Sequence, residues 1–141
     1  MIARRTLRYR NRMSSAIYRR SKGRIGGQAV GLPVLLLTVA GRKSGLARTT
    51  PVIYLVDGTS IVLVGSAFGS KSDPDWVKNL AVAGGARVQI KRRECTVTAR
   101  SAIGEERDRL WQQLIEPNLP TISVHERNSG RLFPVYVLTR T

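Results

Sequence analysis

The sequence is poor in the residues that hold metals and disulfides. Cys95 is its one cysteine and His125 its one histidine, which excludes an internal disulfide and any Cys/His zinc site. Acids are scarce too: nine Asp or Glu stand against 24 Lys or Arg in 141 residues, a formal net charge of +15. That imbalance predicts an anionic partner. Long apolar runs are missing. The stretch Val34 to Ala40, interrupted by Thr38, falls far short of the ~20 residues that span a bilayer. A secretory leader needs an unbroken apolar stretch after its first positive charges, whereas residues 4–24 carry Arg or Lys every few positions. The chain is therefore expected to stay in the cytoplasm. What remains is ordinary: 42% hydrophobic and 23% charged residues, at a length that suits one domain of about 100–150 residues with its own core.

The charge is unevenly spread. Residues 1–27 hold Arg4, Arg5, Arg8, Arg10, Arg12, Arg19, Arg20, Lys22 and Arg24 with no acid, which leaves +6 for the remainder. Two parts are expected: a basic arm over 1–27 and a domain over 28–141. In the arm, Tyr9, Met13 and Ile17 recur every four residues, a spacing that aligns them on one face of a helix. Such an arm suits an anionic membrane surface or a polyanion. Equally, it can pack its stripe on the domain and leave its arginines solvated. Gly23, Gly26 and Gly27 mark the junction.

Within the domain, Leu32 to Val39 predicts a buried first strand, and Arg48 to Val56 a second. Asp57-Gly58 reads as a hairpin turn into a third strand over Ser60 to Ser66. Asp73-Pro74 predicts a helix start, with Asp as N-cap. Trp76, Val77, Leu80 and Ala81 would form its buried stripe, ended by Gly84-Gly85. Val88 and Ile90, then Cys95, Val97 and Ala99, alternate around Lys91-Arg92-Arg93 as a second hairpin. Glu105 to Ile115 predicts a longer helix stopped by Pro117, residues 118–130 are irregular or short-helical, and Pro134 to Leu138 makes a last strand. The order β-β-β-α-β-β-α-β lacks βαβ alternation and favours a mainly antiparallel small barrel with peripheral helices.

Gly41-Arg42-Lys43-Ser44-Gly45, followed by Arg48, gathers three cations, a hydroxyl and two turn-permitting glycines between strands. Glycines let backbone N–H groups converge on an anion, while Arg and Lys add bidentate and point-charge contacts. The spacing is neither that of a Walker A loop nor of a dinucleotide fingerprint. Loops of Gly, Ser and Lys are also common as plain solvated turns.

In wider context, the run Leu35 to Gly45 with Arg48-Thr49-Thr50-Pro51-Val52 resembles the core motif of the deazaflavin-dependent nitroreductase family. Val62 to Ser66, Gly69, Pro74-Asp75-Trp76 and Asn79-Leu80 resemble that family's second motif in order and spacing. The likeness continues through Val88-Gln89-Ile90, Thr98-Ala99-Arg100 and Glu105-Glu106-Arg107 with Trp111, from about Tyr18 to the C-terminus. The resemblance implies a split β-barrel (flavin-reductase or pyridoxamine-oxidase-like, α+β) that binds the 8-hydroxy-5-deazaflavin coenzyme F-420 in preference to FMN. The coenzyme's ribityl chain carries a phosphodiester linked to lactate and oligoglutamate. By that likeness Arg42, Lys43, Ser44 and Arg48 hold the acidic tail, Thr50 and Pro51 line the path to the ring, and Ser66, Ala67, Phe68 and Gly69 contact it. Trp76 and Asn79 come from the helix motif, with Trp76 either a coenzyme contact or a core anchor.

The implied reaction is hydride transfer from the reduced coenzyme to a small organic acceptor: a quinone, an activated alkene or a nitroaromatic. A coenzyme-binding or sequestering module without turnover is the alternative. Nonspecific nucleic-acid binding through the arm is a third reading, with no helix-turn-helix or aromatic platform to support specific readout. Where the family's nitroreductases carry several tyrosines, this chain has Leu119, Ile122 and His125 as its candidate substrate pocket. His125 could donate a proton to a reduced acceptor, or be a surface histidine. Some relatives place Lys directly after the Ser66 position; here Ala67-Phe68 follow, so a cation there must come from Lys71.

Overall fold

In the computed structural model of the chain, which describes residues 28–29, 31–66 and 72–141, eight strands form one antiparallel sheet. The short β1 (Gln28–Ala29) pairs with the start of β2 (Leu32–Ala40), and β2 turns back into β3 (Ala47–Ile53) in an uninterrupted ladder from Val34↔Ile53 to Ala40↔Ala47. The strand expected over Arg48 to Val56 breaks at Tyr54, whose N–H is donated to the Pro33 carbonyl at 3.1 Å. Beyond it β4 (Leu55–Asp57) pairs with β5 (Ser60–Val64) instead of with β2. After β5 come helix α1 (Asp75–Ala83), the hairpin β6 (Gly85–Ile90) and β7 (Arg93–Ser101), a helical stretch, and β8 (Val135–Arg140). Ladders run β2 to β6, β6 to β7, β7 to β8 and β8 to β5. Because β3 and β4 are one bent strand with its first half on β2 and its second on β5, the sheet closes on itself as a split barrel.

Alternation along the strands sorts the core into two. Leu35, Leu37, Val39, Val52, Ile61, Leu63, Val88, Val97, Tyr136 and Leu138 come from every strand of the ring except β4 and fill its inside, with Trp76, Val77 and Leu80 of α1 packed against them. Val62, Val135 and Val137 point the other way and are covered by Leu110, Trp111, Ile115 and Ile122. Strands buried on both faces read as continuous apolar runs, which is why β2, β5 and β8 show no clean alternation in sequence.

Several sequence expectations need correction. The first hairpin turn is centred on Gly58-Thr59, not Asp57-Gly58: Asp57 pairs with Ser60, and only Gly58 has positive φ (62°), the II′ arrangement. In the second, Arg93 belongs to β7 and the turn is Lys91-Arg92. Helix α1 starts at Asp75 with Pro74 as N-cap, and Asp73 does not cap it, because its carboxylate is held by Arg131. Ala81 is exposed, and Asn79 takes its place in the buried face. Pro117 does not stop its helix. Helix α2 (Gly104–Leu110) widens into a π turn over Trp111–Ile115 and continues as α3 (Glu116–Asn118) with Pro117 inside it. A proline ring clashes with the carbonyl four residues back, here Gln113, and the wider turn relieves that crowding. The short-helical reading of 118–130 holds: the chain forms helix α4 (Ile122–Ser129) there.

Candidate functional site

The basic turn is built from the inside of its own loop. The Gly41 N–H bonds the Leu46 carbonyl and the Gly45 N–H bonds the Gly41 carbonyl, both at 2.8 Å, with Gly45 at φ 74°. Ser44 Oγ accepts the Leu46 N–H at 3.2 Å. A Cβ on Gly41 would lie 3.1 Å from that Oγ and 3.2 Å from the Leu46 carbonyl, so a larger residue there would press on both by a few tenths of an ångström. Helix α1 then pins it: Asn79, 5% exposed, accepts the Arg42 N–H at 3.0 Å and Arg42 Nη1 at 2.8 Å through Oδ1. Arg42 Nη2 lies 3.6 Å from the Asp75 carboxylate.

The remaining cations of the turn are differently placed. Arg87, Arg100, Arg107, Arg109 and Arg131 each pair with a carboxylate, as Arg42 does. Lys43 and Arg48 are exposed and have no acidic partner among the described residues. Lys43 on the turn and Arg48 at the start of β3 are two charges of the kind that suits an anion.

Next to the turn lies the split. β4 pairs with β5 only as far as Leu55↔Val62, so one edge of β3 and the end of β5 diverge without a ladder. Thr50 and Pro51 sit on opposite faces of β3: Thr50 is opposite Leu37 and shares the inner face with Val52, while Pro51 is opposite Leu36 on the outside. Ser66 follows β5 at the other lip. Ala67, Phe68, Gly69 and Lys71 lie outside the described residues, as does the arm over 1–27. A groove of about 350 Å³ opens on the outer face beyond Pro51, lined by Leu36, Thr38, Thr49, Arg87, Gln89 and Glu94 among others. It spans β3, β2 and β6, and its one cation, Arg87, pairs with Glu94.

Of the other candidates, Trp76 is buried and packs edge-on against Tyr136, ring centres 6.5 Å apart. Ile122 is buried in the outer core and Leu119 packs against it, while His125 is exposed on α4. The Leu119, Ile122 and His125 set therefore does not present three side chains to one open pocket. Sequence reading missed Arg131, whose side chain is 14% exposed. Its Nη1 donates to the Gly65 carbonyl at 3.1 Å and to Asp73 Oδ1 at 2.6 Å, its Nη2 to the Ser66 carbonyl at 3.1 Å. Its guanidinium lies 4.7 Å over the Phe133 ring. These partners are 58 to 66 residues away in sequence, so no local pattern announces them. Burial pushes the Tyr136 phenol up, and the Asp73 carboxylate adds to the shift.

Comparison with known proteins agrees with this geometry. Residues 10–140 match the family described as F420H(2)-dependent quinone reductase. An F420H(2)-dependent quinone reductase of Mycobacterium tuberculosis is 35% identical over 132 residues, 92% of this chain and 89% of that one. The solved structure of an F420-H2 dependent reductase superposes with a TM-score of 0.68 at 29% identity, covering 76% of this chain and 94% of that chain. A heme storage protein of Vibrio cholerae, at 12% identity and a TM-score of 0.54 over 77% of this chain and 81% of that one, shares the fold alone. With its split barrel and matched motifs, the chain belongs to the F420H(2)-dependent quinone reductase family and is an oxidoreductase that uses the deazaflavin coenzyme F420.

Proposed function

We propose that this protein passes a hydride from the reduced deazaflavin coenzyme to a quinone, holding the coenzyme's acidic tail at the Gly41–Arg48 turn and its ring at the split beside Ser66. The observation that carries the reading is the pair Lys43 and Arg48, unpaired among the described residues on a turn that Asn79 and Ser44 lock in place. A phosphodiester followed by carboxylates supplies the missing counter-charge, so the residues present fit the coenzyme. Lys43 and Arg48 contact the tail directly. Arg42 and Ser44 act mainly by shaping the turn, and Asn79 anchors it. Thr50 and Pro51 form the β3 lip of the split, on its inner and outer faces. Trp76 serves as a core anchor that seats α1.

When bound, the reduced coenzyme supplies the hydride, and its ring lacks the nitrogen that makes ordinary flavins reactive with oxygen. The protein's part is to grip the tail, orient the ring and keep water away with apolar strands. No protein nucleophile is required, and exposed His125 has no assigned role. Residues 1–27, with nine cations and no acid, suit an anionic membrane surface.

Anaerobic assay with the reduced coenzyme and a panel of quinones tests the reading. The Lys43→Ala/Arg48→Ala variant should raise the coenzyme KM by more than about tenfold, since each charge-assisted contact is worth roughly 1.5–3 kcal/mol, with a much smaller change in kcat. Tight binding of the reduced coenzyme by the wild type with no quinone reduced would instead favour a sequestering role.

A further inference from the structure

We propose that Arg131 is a positioning residue for the coenzyme ring, acting as a clamp across both ends of the connection between β5 and α1. On one side its guanidinium bonds the carbonyls of Gly65 and Ser66; on the other it bonds the carboxylate of Asp73, two residues before the helix. One side chain thus fixes the two points between which the connection must run. The clamp is itself braced. Phe133 lies beneath the guanidinium, and Phe133 is fully buried with its N–H donated to Glu126 and its carbonyl accepting from Arg107. Nearby, the Gly65 N–H bonds the Pro134 carbonyl at 2.8 Å, which ties the same strand end to the approach to β8.

A planar fork with several donors is what this task needs, because three acceptors from two segments must be met at once. Lysine brings one point charge and can hold Asp73 but not the whole set. The inference rests on the reading that Ser66 borders the ring; it adds that Arg131, without touching the coenzyme, sets where that border stands.

The test titrates two ligands by fluorescence: the whole coenzyme, and 8-hydroxy-5-deazariboflavin, which has the ring but no phosphodiester tail. Arg131→Gln should weaken both by the same factor, roughly tenfold for the loss of partly buried bonds to a charged group, and should lower kcat with a quinone acceptor. Arg131→Lys should recover part of that loss, and Asp73→Asn should shift both ligands in the same direction by less. Lys43→Ala/Arg48→Ala should weaken only the whole coenzyme. Unchanged affinity for the tail-less ligand in folded Arg131→Gln and Asp73→Asn would overturn the clamp; so would an effect confined to the tailed coenzyme. If Arg131→Gln does not fold, Asp73→Asn and Arg131→Lys decide the matter by the same criterion. A tail effect absent from the Lys43/Arg48 variant would defeat the tail-site reading instead, and unchanged affinity for the tail-less ligand in folded Ser66→Val would defeat the ring reading itself, whereas a loss there with none in Arg131→Gln would defeat the clamp alone.

Discussion

Gly65 and Asn79 show how single residues set this site. A Cβ on Gly65 would stand 2.7 Å from Val77 Cγ2 and 3.3 Å from Pro134 Cδ, so the absence of a side chain lets α1 and the approach to β8 close on the end of β5. Val77 is buried and β-branched, with little freedom to move aside. Gly65→Ala should therefore cost about 1–3 kcal/mol by overpacking, read as a lower urea midpoint with unchanged m; a midpoint equal to the wild type's would contradict the packing argument. Asn79→Ala removes the acceptor for the Arg42 N–H and guanidinium. Leaving such groups unpaired costs about 1–3 kcal/mol. It should also weaken coenzyme binding, by loosening a turn that Asn79 itself need not touch through the ligand.

Among the elements, the helical layer is tied to the sheet by ion pairs whose pH response has a defined sign. Asp57 at the β4–β5 hairpin accepts from Arg109 of α2, and Glu106 of α2 accepts from Arg100 of β7. Hydrogen bonding to arginine holds both carboxyls below their ordinary values of 3.8 and 4.5. A lowered folded-state pKa contributes stability above the unfolded value and loses it as pH falls through the folded one. Both pairs are solvent-exposed, so the contribution is small and screened by salt. Urea unfolding of Arg109→Gln beside the wild type should show a gap at pH 6 that narrows below about pH 3.8; a constant gap would contradict the assignment.

The same scale shows what the sequence could disclose. The β4–β5 and β6–β7 hairpins and strand β2 were legible to within a residue or so at their turns and ends, because turn residues and apolar runs act locally. The bend at Tyr54 was not, since β3 and β4 differ only in which distant strand they meet. Pro117 looked like a stop because its effect on a helix depends on the turn before it, which widens here. For the site, the cations of the basic turn were visible as a cluster. Their division into an anchored Arg42 and open Lys43 and Arg48 was hidden, because it follows from Asn79, 37 residues on. Arg131 had no local signature at all.

For the whole molecule, net charge and specific recognition separate. Nine of 24 cations lie in residues 1–27, and within the domain Arg87, Arg100, Arg107 and Arg109 are each paired with an acid. No helix among the described residues is long and apolar enough to cross a membrane. The full chain should sediment with vesicles containing anionic lipid and be released by salt, and equal behaviour with neutral vesicles would contradict an electrostatic arm. In the proposed reading, by contrast, recognition of the coenzyme's tail depends on Lys43 and Arg48. Fluorescence titration of wild type and Lys43→Ala/Arg48→Ala with the whole coenzyme and with its tail-less deazaflavin tests that claim most directly. The substitutions are predicted to erase most of the wild type's preference for the tailed ligand while leaving the tail-less affinity unchanged; a preference that survives intact in the folded variant would contradict it.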